Sequence, residues 1–546
     1  MRTALFLAAA AALAAPAAAP AADPPITFQA QPAGRMLNDA RVVARMIGGD
    51  AAVKDLEKGL KDKLGEKGFD GLDLNRPIVG YVFLAPKLDE TVGVVAVPVT
   101  GEKEFLALLG RINEDKAPPK DAGNGLYEFS GTVPETKAMM RFRGPHAYVA
   151  IGKDPAAALD PAKLLAPDKL FDAGEKAQLA GKLYFDRLPK ELREQLTQAL
   201  NEAKKQLGGL RLPAEAGETA QKAVDELIKL GNRYADLSKD ADVATGRLIV
   251  DVATGEAAVE VGVTGKPGSQ LANDIAARKP TTNKFGGLVT KDTAYGFKVQ
   301  FPLFAPELVN AAVIGLEAAQ TAAGAGVPPD FKPALDETIK GLIRTVKTRE
   351  FDIAAAVRGP DKNGVYTVVA AIAFDDPSQL EKELRTLYKT HAPDEVKQLV
   401  KLDVAKVGNT NIHQVQFGGF LPDEAAKLFG GDASLAFAFA PNGIFLAFGP
   451  DAVGAMKEAL AVKTAPAPVL EVVVNPSRAR KLLAAVGGQI PEELGTIDQL
   501  VPALALSVEG GKELRVRFGT NLKIFGAITV GRAEAKEPSK PKFEKK

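Results

Sequence analysis

The chain has 546 residues, with 69 lysines and arginines against 68 aspartates and glutamates. So even a balance argues against nucleic acid as the main partner, because neutralising phosphates needs clustered cations. It has no cysteine, which excludes disulfides, thiol catalysis and thiolate metal sites.

Met1 to Ala22 reads as a secretory signal. Arg2 stands in a short n-region, an apolar core runs from Ala4 to Ala14, and Ala12-Leu13-Ala14 and Ala19-Pro20-Ala21 are small-residue cleavage sites. The strong apolar run is too short for a membrane span and Pro16 interrupts it. No later run approaches 18 apolar residues, so the mature chain is expected to lack a transmembrane segment. This address predicts a protein of the periplasm or the cell exterior.

A strand, a proline and an apolar helix then recur four times. The first copy is Ile26 to Pro32, followed by Met36, Leu37, Val43, Met46 and Ile47. The second is Leu183 to Pro189, followed by Leu192, Leu196, Leu200, Ala203 and Leu207. In the third, Tyr295, Phe297, Val299 and Phe301 alternate with Gly296, Lys298 and Gln300, the period of a half-buried strand. Pro302 and Pro306 follow, then Leu308, Ala312, Leu316 and Ala319 at helical spacing. The fourth is Val469 to Pro476, followed by Leu482, Leu483 and Val486.

Three of these helices run into glycine pairs, Gly48-Gly49, Gly208-Gly209 and Gly487-Gly488, where a helix end favours φ > 0. Second helices follow three copies, for example Leu335, Ile339, Leu342, Ile343 and Val346. After each helical hairpin come two extended segments, such as Phe351–Val357 with Val365–Phe374, or Leu504–Val508 with Leu514–Phe518 around Gly510-Gly511. The spacing of the prolines pairs copies one and two with three and four. A tandem duplication follows, residues 26 to 285 and 292 to 530, each half an α+β fold of largely antiparallel sheet covered by helical hairpins. Two such halves suggest a clamp with a groove between them. From Arg532 the composition turns lysine-rich, and residues 532 to 546 read as a disordered basic tail that an anionic envelope polymer or membrane surface would attract.

The inserts carry the most informative strands. Leu435, Phe437 and Phe439 point one way and Ser434, Ala436, Ala438 and Ala440 the other; Ile444, Leu446 and Phe448 alternate with Phe445 and Ala447. Both faces are apolar, which predicts cover on both sides. One reading is a helix layer on one face and the other half on the second. The sharper one is a cavity for a lipid-like ligand, with Phe437, Phe439, Phe445 and Phe448 as contacts. An absence of tryptophan beside 26 phenylalanines points the same way.

Catalytic patterns are missing from the sequence. The three histidines, His146, His391 and His413, show no metal-ligand spacing. No G-x-S-x-G elbow or phosphate-binding glycine loop occurs, and Asp375-Asp376 and Asp89-Glu90 read as a helix start and a turn. No cofactor or metal is expected. The leading expectation is a non-enzymatic exported binding or structural protein. The alternatives are a carrier of an apolar ligand and a carboxylate-based hydrolase, whose acids a sequence alone does not locate.

Overall fold

The computed structural model describes residues 23–524 apart from 88–89, 113–117, 134–135, 212–216, 279, 302–304, 325, 418–420, 486–494 and 496. The signal segment, the basic tail, Pro302 and the Gly487-Gly488 pair lie outside the described residues.

The chain begins β1 (Ile26–Ala30), α1 (Ala33–Leu64), β2 (Ile78–Phe83), β3 (Val92–Pro98), α2 (Glu102–Ile112), β4 (Lys120–Gly123), β5 (Leu126–Val133), β6 (Thr136–Arg143) and β7 (His146–Gly152). It continues with α3 (Pro155–Ala158), α4 (Pro167–Leu170), β8 (Leu179–Tyr184), α5 (Lys190–Gly208), α6 (Gly217–Leu237), β9 (Ala241–Asp251), β10 (Glu256–Gly265) and α7 (Gln270–Ala276). Next come β11 (Thr282–Asn283), β12 (Thr293–Phe301), α8 (Pro306–Gly324), α9 (Lys332–Lys347), β13 (Phe351–Arg358), β14 (Thr367–Ala373), α10 (Ser378–His391) and α11 (Asp394–Leu399). Then follow β15 (Val400–Val407), β16 (Thr410–Gln416), α12 (Asp423–Phe429), β17 (Ser434–Ala440), β18 (Gly443–Gly449), α13 (Ala452–Leu460) and β19 (Ala465–Pro466). The last are β20 (Leu470–Val474), α14 (Pro476–Ala485), β21 (Val501–Glu509) and β22 (Leu514–Asn521).

Helices and antiparallel strands are mixed throughout, an α+β fold as the sequence implies. Two compact units form, and neither is one run of sequence. Among the described residues the first takes 23–202, 237–278 and 510–524, and the second takes 203–236 and 280–509.

In the first unit the strands lie in the order β4-β5-β6-β7-β3-β2-β1-β8-β9-β10-β22, each antiparallel to its neighbours. In the second the order is β15-β16-β17-β18-β14-β13-β12-β20-β21, again antiparallel throughout. Strand for strand, the second order repeats the first from β4 to β9. In both, the central pair is a strand and the partner that returns after a helical excursion. An antiparallel return fits, because the connecting helices fold back on themselves.

The glycine pairs act differently from one another. Gly48 and Gly49 leave helical geometry inside α1, with Gly49 at φ 65, so this stretch is two helices meeting at a sharp break, and Arg41 pairs with Glu57 across it at 3.3 Å. Gly208 simply ends α5. In the second unit Gly341 has a packing role: a Cβ there would run into the ring of Phe374. Phe374 is 2% exposed and packs with Ala334 of α9 and Leu380 of α10. The glycine thus lets α9 sit close over the end of β14.

A candidate apolar binding face in the second unit

Register fixes which side chains share a face. On one side of the sheet Ala436, Ala438 and Ala440 of β17 join Phe445 and Ala447 of β18, Val369, Ala371 and Ala373 of β14, and Ala354 and Ala356 of β13, all buried. α13 covers them with Ala452, Met456 and Ala459. Asp451 caps that helix by accepting the Gly454 N–H at 2.9 Å, a contribution of about 1 kcal/mol. Alanine on the strands lets the helix come close, so this side is a closed core. Phe445 belongs to it: it is 1% exposed and meets Phe285 edge-on at 5.3 Å.

The opposite face carries larger side chains and is less covered. Leu435, Phe437 and Phe439 stand across from Phe448, Leu446 and Ile444. At one end α9 and α10 pack on Phe439 and Ile444. At the other, Phe448 meets Phe429 of α12 at 5.2 Å and Phe417 at 5.9 Å, both edge-on, while α14 packs near Val357 and Val474. Between these ends runs a row that, among the described residues, joins none of the helix-packed clusters: Phe437, Leu446, Ala370, Ala355, Phe297 and Val472, neighbours in register across six strands. None of the six is fully buried, and Leu446 is 44% exposed. Same-face residues on one strand are about 7 Å apart, so this floor is a narrow trough.

Of the four phenylalanines expected to line a cavity, Phe437 and Phe439 come together, 6.0 Å apart and nearly perpendicular. Phe448 shares their face at the far end, and Phe445 lies on the closed side. Alternation separated Phe445 from the other three. Sequence reading missed Ala355, Ala370 and Phe297 as the floor, and the signal available was the run FDIAAAVR of β13, small on both faces.

A polar group closes the Phe437 end. His413, 1% exposed, lies 5.0 Å from the Phe437 ring and 6.3 Å from that of Phe439. Its Nδ1 accepts the Asp403 backbone N–H at 3.2 Å, so the proton sits on Nε2, 3.2 Å from Glu381 Oε1. Arg385 Nη2 donates to Glu381 at 2.7 Å and to Asp403 at 2.5 Å. The Arg385 hydrogen bond holds the Asp403 carboxyl below the usual range, and burial, with Arg385 adding to it, keeps His413 lowered and neutral. Glu381, Asp403 and His413 converge closely enough to hold a cation. The guanidinium already takes that place, and both imidazole nitrogens are committed. His391 pairs with Asp330 at 3.3 Å, and His146 stacks edge-on near Tyr148 at 6.3 Å.

Among the described residues no helix is long and apolar enough to cross a membrane. No family model and no curated protein matches the chain. Among solved structures, crystal form III of TP0453 shares 12% identity over 46% of this chain and 82% of its own, with a TM-score of 0.22. Crystal form I of TP0453 shares 11% over 48% and 78%, with a TM-score of 0.20.

Proposed function

We propose that this is an exported, non-enzymatic binding protein of the bacterial envelope or exterior, and that its second unit carries a lipid-like ligand along the row from Phe437 to Val472. The carrying observation is Leu446, a large apolar side chain 44% exposed in the middle of a sheet face whose two ends are covered. A bare apolar floor between packed flanks is what an apolar ligand displaces water from. A trough of this width suits a linear chain better than a helix 10–12 Å across. Export is supported by the composition of residues 1–22. The absence of a recognisable catalytic pattern in the sequence, and the pairing of Glu381 and Asp403 with Arg385, favour binding over hydrolysis.

Organic extraction of the purified chain followed by mass spectrometry tests this reading. A released fatty-acyl compound in stoichiometric amount is expected. No such compound, together with no uptake of added fatty acid, would leave a purely structural role.

We infer further that the two α+β halves, residues 26–285 and 292–530, descend from one duplicated segment. The support is the strand order shared by the two units. Backbone superposition of β1–β9 on their counterparts in a crystal of the full chain tests it: a common path is expected, and unrelated paths would overturn the inference.

A further inference from the structure

In the first unit, β8, β9, β10 and β22 form a sheet whose polarity is reversed. Ala258, Glu260 and Gly262 of β10 are buried, whereas Val259 and Val261 between them are 52% and 57% exposed. Register carries the pattern across the strands: Val259 stands beside Phe518, 51% exposed, and Val261 beside Val516, 41% exposed. On the other side Val259 neighbours Leu248 of β9, 44% exposed. The charged face is fixed inward, because Arg247 bonds Glu260 at 2.8 Å and Glu175 at 2.9 Å. The apolar face therefore cannot turn in, and no charged side chain shares it along these rows.

Two glycines on the same face have no role in the unit itself. Gly181 and Gly246 pair with each other, and Gly246 pairs with Val261. Neither has a positive φ. A Cβ on Gly246 would meet nothing within 4 Å, and one on Gly181 only the Thr27 carbonyl at 3.8 Å. Gly262, by contrast, is needed internally, since a Cβ there would strike the Glu513 carboxylate. Glycine inside a strand with free space above it marks a place where something approaches closely. The two glycines floor a shallow, open cavity of about 260 Å³ bounded by Ile26, Lys182, Leu183, Ala244 and Thr245.

We propose that this face is an interface for a second copy of the same chain. A twofold contact must be self-complementary, each feature meeting its counterpart on the partner. Here one patch holds both halves of such a fit: a ridge of Val259, Val261, Val516 and Phe518, and beside it the Gly181–Gly246 trough. Antiparallel stacking seats the ridge of each copy in the trough of the other, as packed apolar sheets do. A small ligand in the trough would leave Phe518, about 10–14 Å away across the strands, uncovered. Four strands and the eight register pairs of β10 with β22 span roughly 19 by 26 Å, about 490 Å² in projection, and α7 packs on the Val263–Leu514 end of that face. The contact therefore lies at the low end of specific interfaces, below the roughly 800 Å² per partner of a standard one.

Sedimentation equilibrium of the purified full chain tests the proposal. Wild type is expected at twice the chain mass. Val261→Lys and Phe518→Lys should weaken association at least about 100-fold while each monomer keeps its fold, read as an unchanged circular dichroism spectrum, since both sites are exposed. Gly246→Leu adds apolar surface yet fills the trough, so it too should weaken the dimer; tighter association would mean mere stickiness and overturn the fit. Leu446→Lys, in the second unit, should leave the dimer intact, which separates this proposal from ligand carriage. A wild-type monomer at about 100 μM, with or without a bound lipid on this face, would overturn it.

Discussion

β17 and β10 both alternate strictly, yet they spend their large apolar side chains in opposite ways. In β17 the small alanines face a closed core, and Phe437 and Phe439 face a partly covered trough. In β10 a carboxylate and a glycine face inward, and two valines face solvent. Period-two alternation therefore assigns residues to two faces but does not say which face is bare. That depends on what a distant segment brings: for β10, Arg247 and the β22 strand; for β17, helix α13.

The largest expected effect lies in the charged layer under β10. Burial alone would raise the Glu175 carboxyl, but the Ala177 N–H and the Arg247 guanidinium outweigh it and hold it low. Arg247→Met leaves Glu175, Glu260 and Glu513 around an uncharged side chain, and should cost about 3–5 kcal/mol of unfolding free energy in denaturant titrations. A carboxyl with a lowered folded pKa stabilises the fold above its unfolded value, about 4.3, and that contribution disappears as pH falls through the folded value. The gap between wild type and Arg247→Met should accordingly narrow below pH 4.3; a gap independent of pH would contradict the ion-pair account.

In the second unit, Gly341→Ala should cost about 1–3 kcal/mol by driving Phe374 off α9, read as a lower melting temperature. A smaller effect is expected from His413. Its folded pKa is lowered by burial and by Arg385, with Glu381 and Asp403 opposing, so below about pH 6.5 the unfolded chain binds a proton that the folded chain does not. Stability should fall on acidification with a slope up to about 1.4 kcal/mol per pH unit, and His413→Gln should remove that part of the slope. Leu446→Lys should change stability by less than about 0.5 kcal/mol, because the site is open, while abolishing acyl-chain uptake.

Much of the fold was legible locally. Alternation in the Phe437 and Leu446 strands sets Phe445, expected as a ligand contact beside the other three phenylalanines, apart from Phe448, and helices follow strands at Pro32, Pro189 and Pro476. Less legible was what required contacts distant in sequence. Asp376, expected to cap α10, instead takes φ 47, and the helix starts at Ser378, whose hydroxyl bonds the Asp376 carboxylate. β22 pairs with β10 across some 250 residues, a partner that no local signal names. The network at His413 joins α10 to β15 and β16; in sequence only Glu381 and Arg385, four apart, hint at it.

The bare row of the second unit is tested most directly by titrating delipidated wild-type chain and its Leu446→Lys variant with a fluorescent fatty acid. Saturable binding by wild type and its loss in the folded variant are predicted. Equal binding by both proteins, or none by either, would contradict the assignment of that trough to an apolar ligand.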